Sequence, residues 1–244
     1  SSALAAPTFL PFNENQLYRV NADTSVDQFS MSASLISSAV RPDGRIFGTN
    51  ARDMPRASYE LLDPLGTPTL SVLDGDIPNA YASITFVADR AFGFRNNNTF
   101  AEIDPDTLLE INNFGNIGAT GNGLAYDAST DTMYSIGRNA DSVWTIDYNT
   151  GSATLLGTLG HDMYNAGAEF FDGKLYLANQ NLDTGFFEIG EIDLTDGSYT
   201  MLYQLGTFSD PNVLEDHVSL VVIPAPAGAA VLGLAGLAVA RRRR

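Results

Sequence analysis

Short apolar runs alternate with polar residues along most of the chain, and turn-forming residues separate them at regular spacing. Thr132–Ile136 reads as a short strand, and Ser142–Ile146 shows the every-second-residue alternation of a strand half buried against a core. Asp127-Ala128-Ser129-Thr130-Asp131 precedes the first of them and Asn149-Thr150-Gly151 follows the second. Both are turn sequences, because Asn and Asp bond their own backbone and glycine supplies a positive φ. No ten-residue stretch of the body has the 3.6-residue period of a helix. The pattern predicts an all-β body.

The pattern also repeats. One anchor is an aromatic on a short strand, at Phe47, Phe92, Tyr134 and Tyr176, in steps of 45, 42 and 42 residues. A second anchor follows each: Leu62-Asp63, Ile103-Asp104, Ile146-Asp147 and Ile192-Asp193, with Val20-Asn21 as an earlier copy. One unit of about 42 residues reads as four strands, shown by Gly123–Asp127, Thr132–Ile136, Ser142–Ile146 and Ala153–Leu159. Four-stranded units at this period predict a β-propeller with one unit per blade. Residues 34–74, 79–118, 121–160 and 165–206 supply four blades. Residues 8–31, with Phe9 near the aromatic anchor, supply three strands of another, and residues 217–223 a lone inner strand. Joined, these two pieces complete a fifth blade, and closure between the ends removes exposed sheet edges. Six blades follow if one fragment is misread, and a β-sandwich is the competing fold.

The turn and strand Asp127 to Tyr134 and the hairpin Ile146 to Gly151 resemble the loosely defined propeller repeats of secreted bacterial proteins, lactonase-like and quinoprotein-like ones among them. The resemblance implies a blade and no particular reaction, and it transfers no catalytic residue.

The two ends read as addressing segments. Ala3-Leu4-Ala5, within residues 1–6, has the small-x-small pattern left by a secretory signal. Residues 224–244 comprise Pro224-Ala225-Pro226, an apolar run of 14 residues from Ala227 to Ala240, and Arg241, Arg242, Arg243 and Arg244. At about 1.5 Å per residue the run reaches roughly 21 Å as a helix, short of a hydrocarbon core of about 30 Å. Snorkelling arginines and the flanking residues make up the difference, with the arginines on the cytoplasmic side. This three-part tail resembles the PEP-CTERM sorting signals that exosortases process, with Ala225 where glutamate is usual. The resemblance implies an exosortase-like processing enzyme as partner and transient inner-membrane insertion. It further implies delivery to the outer envelope or matrix and a link to biofilm and exopolysaccharide. The expected organisation is therefore a signal remnant (1–6), a propeller (7–223) and a sorting tail (224–244).

Charge narrows the partners. The net charge is −16, and setting aside the four terminal arginines leaves 9 basic against 29 acidic residues, a net −20. Such a body repels phosphate backbones and argues against nucleic acid. The chain has no cysteine, which removes disulfides, thiolate metal sites and cysteine nucleophiles.

Ligands of a propeller gather where inner strands enter the axis. Asn79, Asn122 and Asn165 stand at the entry of three successive inner strands, and Glu215, Asp216 and His217 at the entry of the lone one. Amide and carboxylate oxygens there suit calcium, a hard cation with 6–8 oxygen ligands, or sugar hydroxyls. The same residue types also cap turns. His217 beside two carboxylates has the makings of a general base. No motif of serine, metal-dependent or phosphate-binding enzymes is present, and no cofactor is required. The expectation is an exported, non-enzymatic binding or structural propeller whose partners are envelope protein or extracellular polysaccharide. The alternative is a secreted hydrolase or lyase acting on polysaccharide or lactone through channel carboxylates and His217.

Overall fold

A computed structural model of the chain describes residues 7–13, 15–50, 56–77, 79, 81–95, 98–137, 141–207 and 218–224. Twenty strands form five antiparallel four-stranded sheets. Blade I contains β1 (Thr8–Asn13), β2 (Gln16–Val20), β3 (Val26–Ser30) and β20 (Val218–Ile223), in the order β20-β1-β2-β3. Blade II runs through β4 (Ser37–Val40), β5 (Ile46–Asn50), β6 (Ala57–Leu62) and β7 (Thr69–Asp74). Blade III has β8 (Tyr81–Val87), β9 (Arg90–Arg95), β10 (Thr99–Ile103) and β11 (Glu110–Asn116). Blade IV has β12 (Gly123–Asp127), β13 (Thr132–Gly137), β14 (Ser142–Asp147) and β15 (Ser152–Thr158). Blade V has β16 (Met163–Phe171), β17 (Lys174–Asn181), β18 (Phe186–Ile192) and β19 (Tyr199–Thr207). The fold is a five-bladed β-propeller, and the described residues contain no helix. The strands read from the sequence in blade IV begin and end within one residue of those observed.

Each pair of neighbouring blades encloses its own apolar core. Phe92, Phe94 and Phe100 fill the one between blades III and IV, and Tyr134, Leu175 and Leu177 the one between IV and V. Phe9, Ile189 and Leu220 join V to I, Leu10, Leu35 and Leu61 join I to II, and Phe47, Ile84 and Phe86 join II to III. The inner strands β4, β8, β12, β16 and β20 contact one another in that order round the axis, and β20 also touches β4. In blade I, β20 pairs with β1 from Thr8 opposite Ile223 to Asn13 opposite Val218.

The two anchors have separate physical jobs. Phe47, Phe92, Tyr134 and Tyr176 are buried on the second strands and pack between blades. In three blades a cation two residues before the aromatic reaches an acid on the third strand: Arg45–Glu60 and Lys174–Glu191 at 2.7 Å, and Arg90–Glu102 at 2.8 Å. Arg45 and Arg90 also lie 4.8 Å from the centres of the Phe47 and Phe92 rings. The aspartate of the second anchor caps a turn. Asp104 accepts the Asp106 and Thr107 N–H groups at 3.0 and 2.8 Å, and Asp193 accepts that of Thr195 at 2.8 Å. Two anchors sit one place from the sequence alignment. Phe9 lies opposite Val20, so Leu10 occupies the aromatic position in blade I. Leu61, not Leu62, lies opposite Ile46 in blade II.

Four outer strands contain β-bulges. The residues skipped by the pairing include Phe114, Leu156 and Leu205, which pack against blade cores. A bulged outer strand buries an extra side chain and presents an irregular edge that resists pairing with another sheet.

The inner strands approach so closely that a side chain is excluded at several points. A Cβ on Gly167 would lie 2.3 Å from Ser219 Cα, whereas one on Gly206 would meet nothing within 4 Å. Gly167→Ala should therefore lower unfolding free energy by about 2–3 kcal/mol, the cost of overpacking a rigid site. Gly206→Ala should change it by no more than about 0.5 kcal/mol. Urea unfolding midpoints of the two variants compare them directly.

Candidate functional site

The waist of the axis is formed by small residues. Opposite the aromatic anchors stand Ala39, Thr85, Ala125 and Glu169. Two positions earlier on the same strands are Ser37, Ser83, Gly123 and Gly167, with Ser219 from β20 beside them. They leave a cavity of about 10 Å³. That is room for roughly one water. No substrate passes through this waist.

Glu169 is the ionisable side chain of the next layer along the axis. Its Oε1 accepts the Phe170 N–H at 3.3 Å, and the carboxyl also takes the N–H of Val40 on β4, beyond the intervening β20. Burial pushes it up to about 8 against these two favourable bonds.

The amides expected to share equivalent positions do not do so. Asn122 stands three residues before Ala125, Asn165 four before Glu169 and Asn79 six before Thr85. Irregular pairing at Met163/Ala166 in β16 accounts for the offset of Asn165, and that at Tyr81/Ser83 in β8 for one of the three residues by which Asn79 is displaced. Two of the three still meet. Asn122 Nδ2 donates to Asn165 Oδ1 at 2.6 Å between blades IV and V. Asn79 instead accepts from Arg95, which also lies 3.4 Å from Glu110. Each amide has a protein partner, the role of a turn or junction residue.

Below Asn165, the face of blade V toward blade IV carries a polar row that sequence reading missed. Asn179 lies opposite Ala166 on one side and Glu188 on the other. Both are buried, at 0% and 1% exposure. Asn181 Nδ2 donates to Glu188 at 2.6 Å. His161 lies 3.3 Å from Asn179 Oδ1 and stacks on Tyr199 with ring centres 4.7 Å apart. Burial, then the Glu188 charge, raises the Tyr199 hydroxyl. Nothing in the local sequence marks Glu188 as interior. Its pairing with Asn179 and the alternation of apolar Phe187 and Ile189 about it are the only signals, and both require the register.

Glu215, Asp216 and His217 lie outside the described residues, as do Ala225, Pro226 and Arg241–Arg244. Pro224 is described and exposed. Among the described residues no three His, Asp or Glu side chains are grouped so as to hold a metal, and no helix is long and apolar enough to cross a membrane. The Asp127 carboxylate is taken by Ser129 N at 2.8 Å and by Thr130 Oγ1 at 2.6 Å, the bonding of a turn.

No family model matches the chain, and no curated protein does. Among solved structures the chain is similar to one from a nidogen/laminin complex, with a TM-score of 0.57 and 9% identity. That likeness covers 89% of this chain and 98% of the other. Likeness at this level is shared with 762 solved chains, so it establishes the propeller and leaves function to the site.

The elevated Glu169 sets a pH dependence of definite sign. Its folded value of about 8 stands above the ordinary 4.5, so the folded protein keeps a proton that the unfolded chain releases. The resulting stabilisation is complete below about pH 4 and is lost as pH rises toward about 8. Because the residue keeps some solvent contact, the loss should be on the order of 1–2 kcal/mol. Glu169→Gln should remove this slope. Urea midpoints at several values between pH 5 and pH 8 would show the two proteins alike at the acid end and the parent falling below the Gln variant as pH rises.

Proposed function

We propose that this is an exported envelope or matrix protein whose propeller binds another macromolecule through its surface. The observation that carries the reading is the closed waist. A propeller acting as a hydrolase or lyase down its axis needs room for a substrate beside its acid and base, and the described axis admits one water. Of the polar groups nearest it, Asn122 and Asn165 bond one another between blades IV and V, Asn179 meets His161, and Glu188 accepts from Asn181 within blade V. The nidogen/laminin structure with a similar fold is a protein complex, which agrees with a surface used for association.

The tail supplies the route. Residues 224–244 act as a PEP-CTERM-like signal that inserts into the inner membrane and is processed by an exosortase-like enzyme, after which the propeller enters the outer envelope or matrix. The fold constrains where processing falls. The pairing of β20 with β1 closes the ring, so a cut must lie beyond Ile223. Cleavage near Pro224–Ala227 leaves β20 whole.

The intact mass of the protein from its native envelope tests sorting. A chain ending near Pro224–Ala227 is expected, and a chain still ending at Arg244 overturns it. Removal of residues 218–244 should unfold the domain, and removal of 227–244 should not, by circular dichroism. For the binding role, the full chain is incubated with extracellular polysaccharide from its own source. Capture at unchanged chain length is expected, and progressive shortening establishes the hydrolase or lyase alternative.

A further inference from the structure

The topology fixes which face of the propeller the tail leaves from. Inner strands run from the entry face to the opposite face, where the first strand of each blade turns into the second and the third into the fourth. Blade I has no such first turn. Ile223, at the end of β20, lies opposite Thr8, at the start of β1. The two chain segments occupy the place where the other blades have a tight connection, so both leave from the turn face.

That face is acidic among the described residues. Exposed aspartates stand on turns of every blade, including Asp23, Asp43, Asp89, Asp131, Asp172 and Asp193. Its basic side chains are taken by carboxylates: Arg19 by Asp27, Arg41 by Asp106, and Arg45, Arg90 and Lys174 by the cross-strand glutamates. Only Pro224-Ala225-Pro226 separates β20 from the apolar run. Three residues span at most about 11 Å.

We propose that, while the apolar run is inserted, the aspartate-bearing turn face lies against the lipid headgroups and the entry face points away from the membrane. This rests on the sorting-tail reading above. The tether is too short for the body to turn over. It holds the exit point on the turn face within about 11 Å of the inserted run, so the contact is enforced by the chain and not by attraction. A partner outside the membrane then reaches the entry face alone.

The absence of cysteine makes the test direct. Ala22→Cys and Asp89→Cys place a thiol on the turn face, and Ser32→Cys and Asp76→Cys place one on the entry side. All four positions are exposed. Each full-length variant is mixed with phosphatidylcholine vesicles, floated, and reacted with a bulky polyethylene-glycol maleimide. The same variants lacking 227–244 serve as reference. The expected result is severalfold slower labelling at positions 22 and 89 on vesicles, with positions 32 and 76 unchanged. Floated protein in which all four sites slow alike, or in which 32 and 76 slow more, overturns the orientation alone. Protein that does not float, although the shortened chain is folded, overturns the tail reading and the orientation with it.

Discussion

Everything in this molecule depends on how closely five inner strands can approach one axis. Side chains as small as Ser37, Ser83 and Ser219, and glycine at 123 and 167, let the backbones converge. A Cβ at Gly123 would sit 2.8 Å from Ala168 Cβ, tighter than ordinary contact. Convergence brings the blades near enough for Phe92, Leu177, Leu220 and their equivalents to fill the wedges between them. The hydrophobic effect acts on those wedges, each shared by two blades, so no blade is stable by itself. The narrow axis and the well-filled wedges are therefore one fact. A wider waist able to take a substrate would open every wedge at its inner end.

That constraint also explains the polar interior. Buried polar side chains near the entry ends of the strands need partners, and amides supply them to one another across blades. Asn122 to Asn165 is one such bridge, and Gln180 to Asn13, at 3.1 Å between blades V and I, is another. Glu169 is the costlier solution. It places a carboxyl beside the axis to take the Val40 N–H, and burial then holds its proton.

The sequence showed what is local and hid what depends on register. Strand period, Asx turns and the aromatic anchors are written in runs of five to eight residues, so the 42-residue unit and its four strands could be read directly. The cross-strand cation and glutamate of three blades were also within reach, since Arg45, Arg90 and Lys174 each stand two residues before an anchor aromatic. Bulges were not. The irregularities in β8 and β16 shift Asn79 and Asn165 away from Asn122, and spacing alone made the three look equivalent. A one-residue shift moves every side chain to the other face. For the same reason neither Glu169 nor Glu188 announced its burial, and Phe9 seemed to stand where Leu10 does.

The two faces of the ring differ in a way that bears on where recognition lies. Connections on the turn face run from two residues at 88–89 and 172–173 to six at 63–68, 104–109 and 193–198, and Asp104, Asp147 and Asp193 cap turns there. Connections on the entry face include every link from one blade to the next, at 31–36, 75–80, 117–122, 159–162 and 208–217. Loops outside the blade ladders can vary in length and chemistry without disturbing the wedges, and a rigid scaffold positions them. Thr8 and Ile223 lie together on the turn face and the loops that join blade to blade lie on the other, which divides the ring into a side that holds both strand ends and a side that carries loops alone. The acidic turns favour the same division. Their charge makes the turn face unattractive to anionic surfaces.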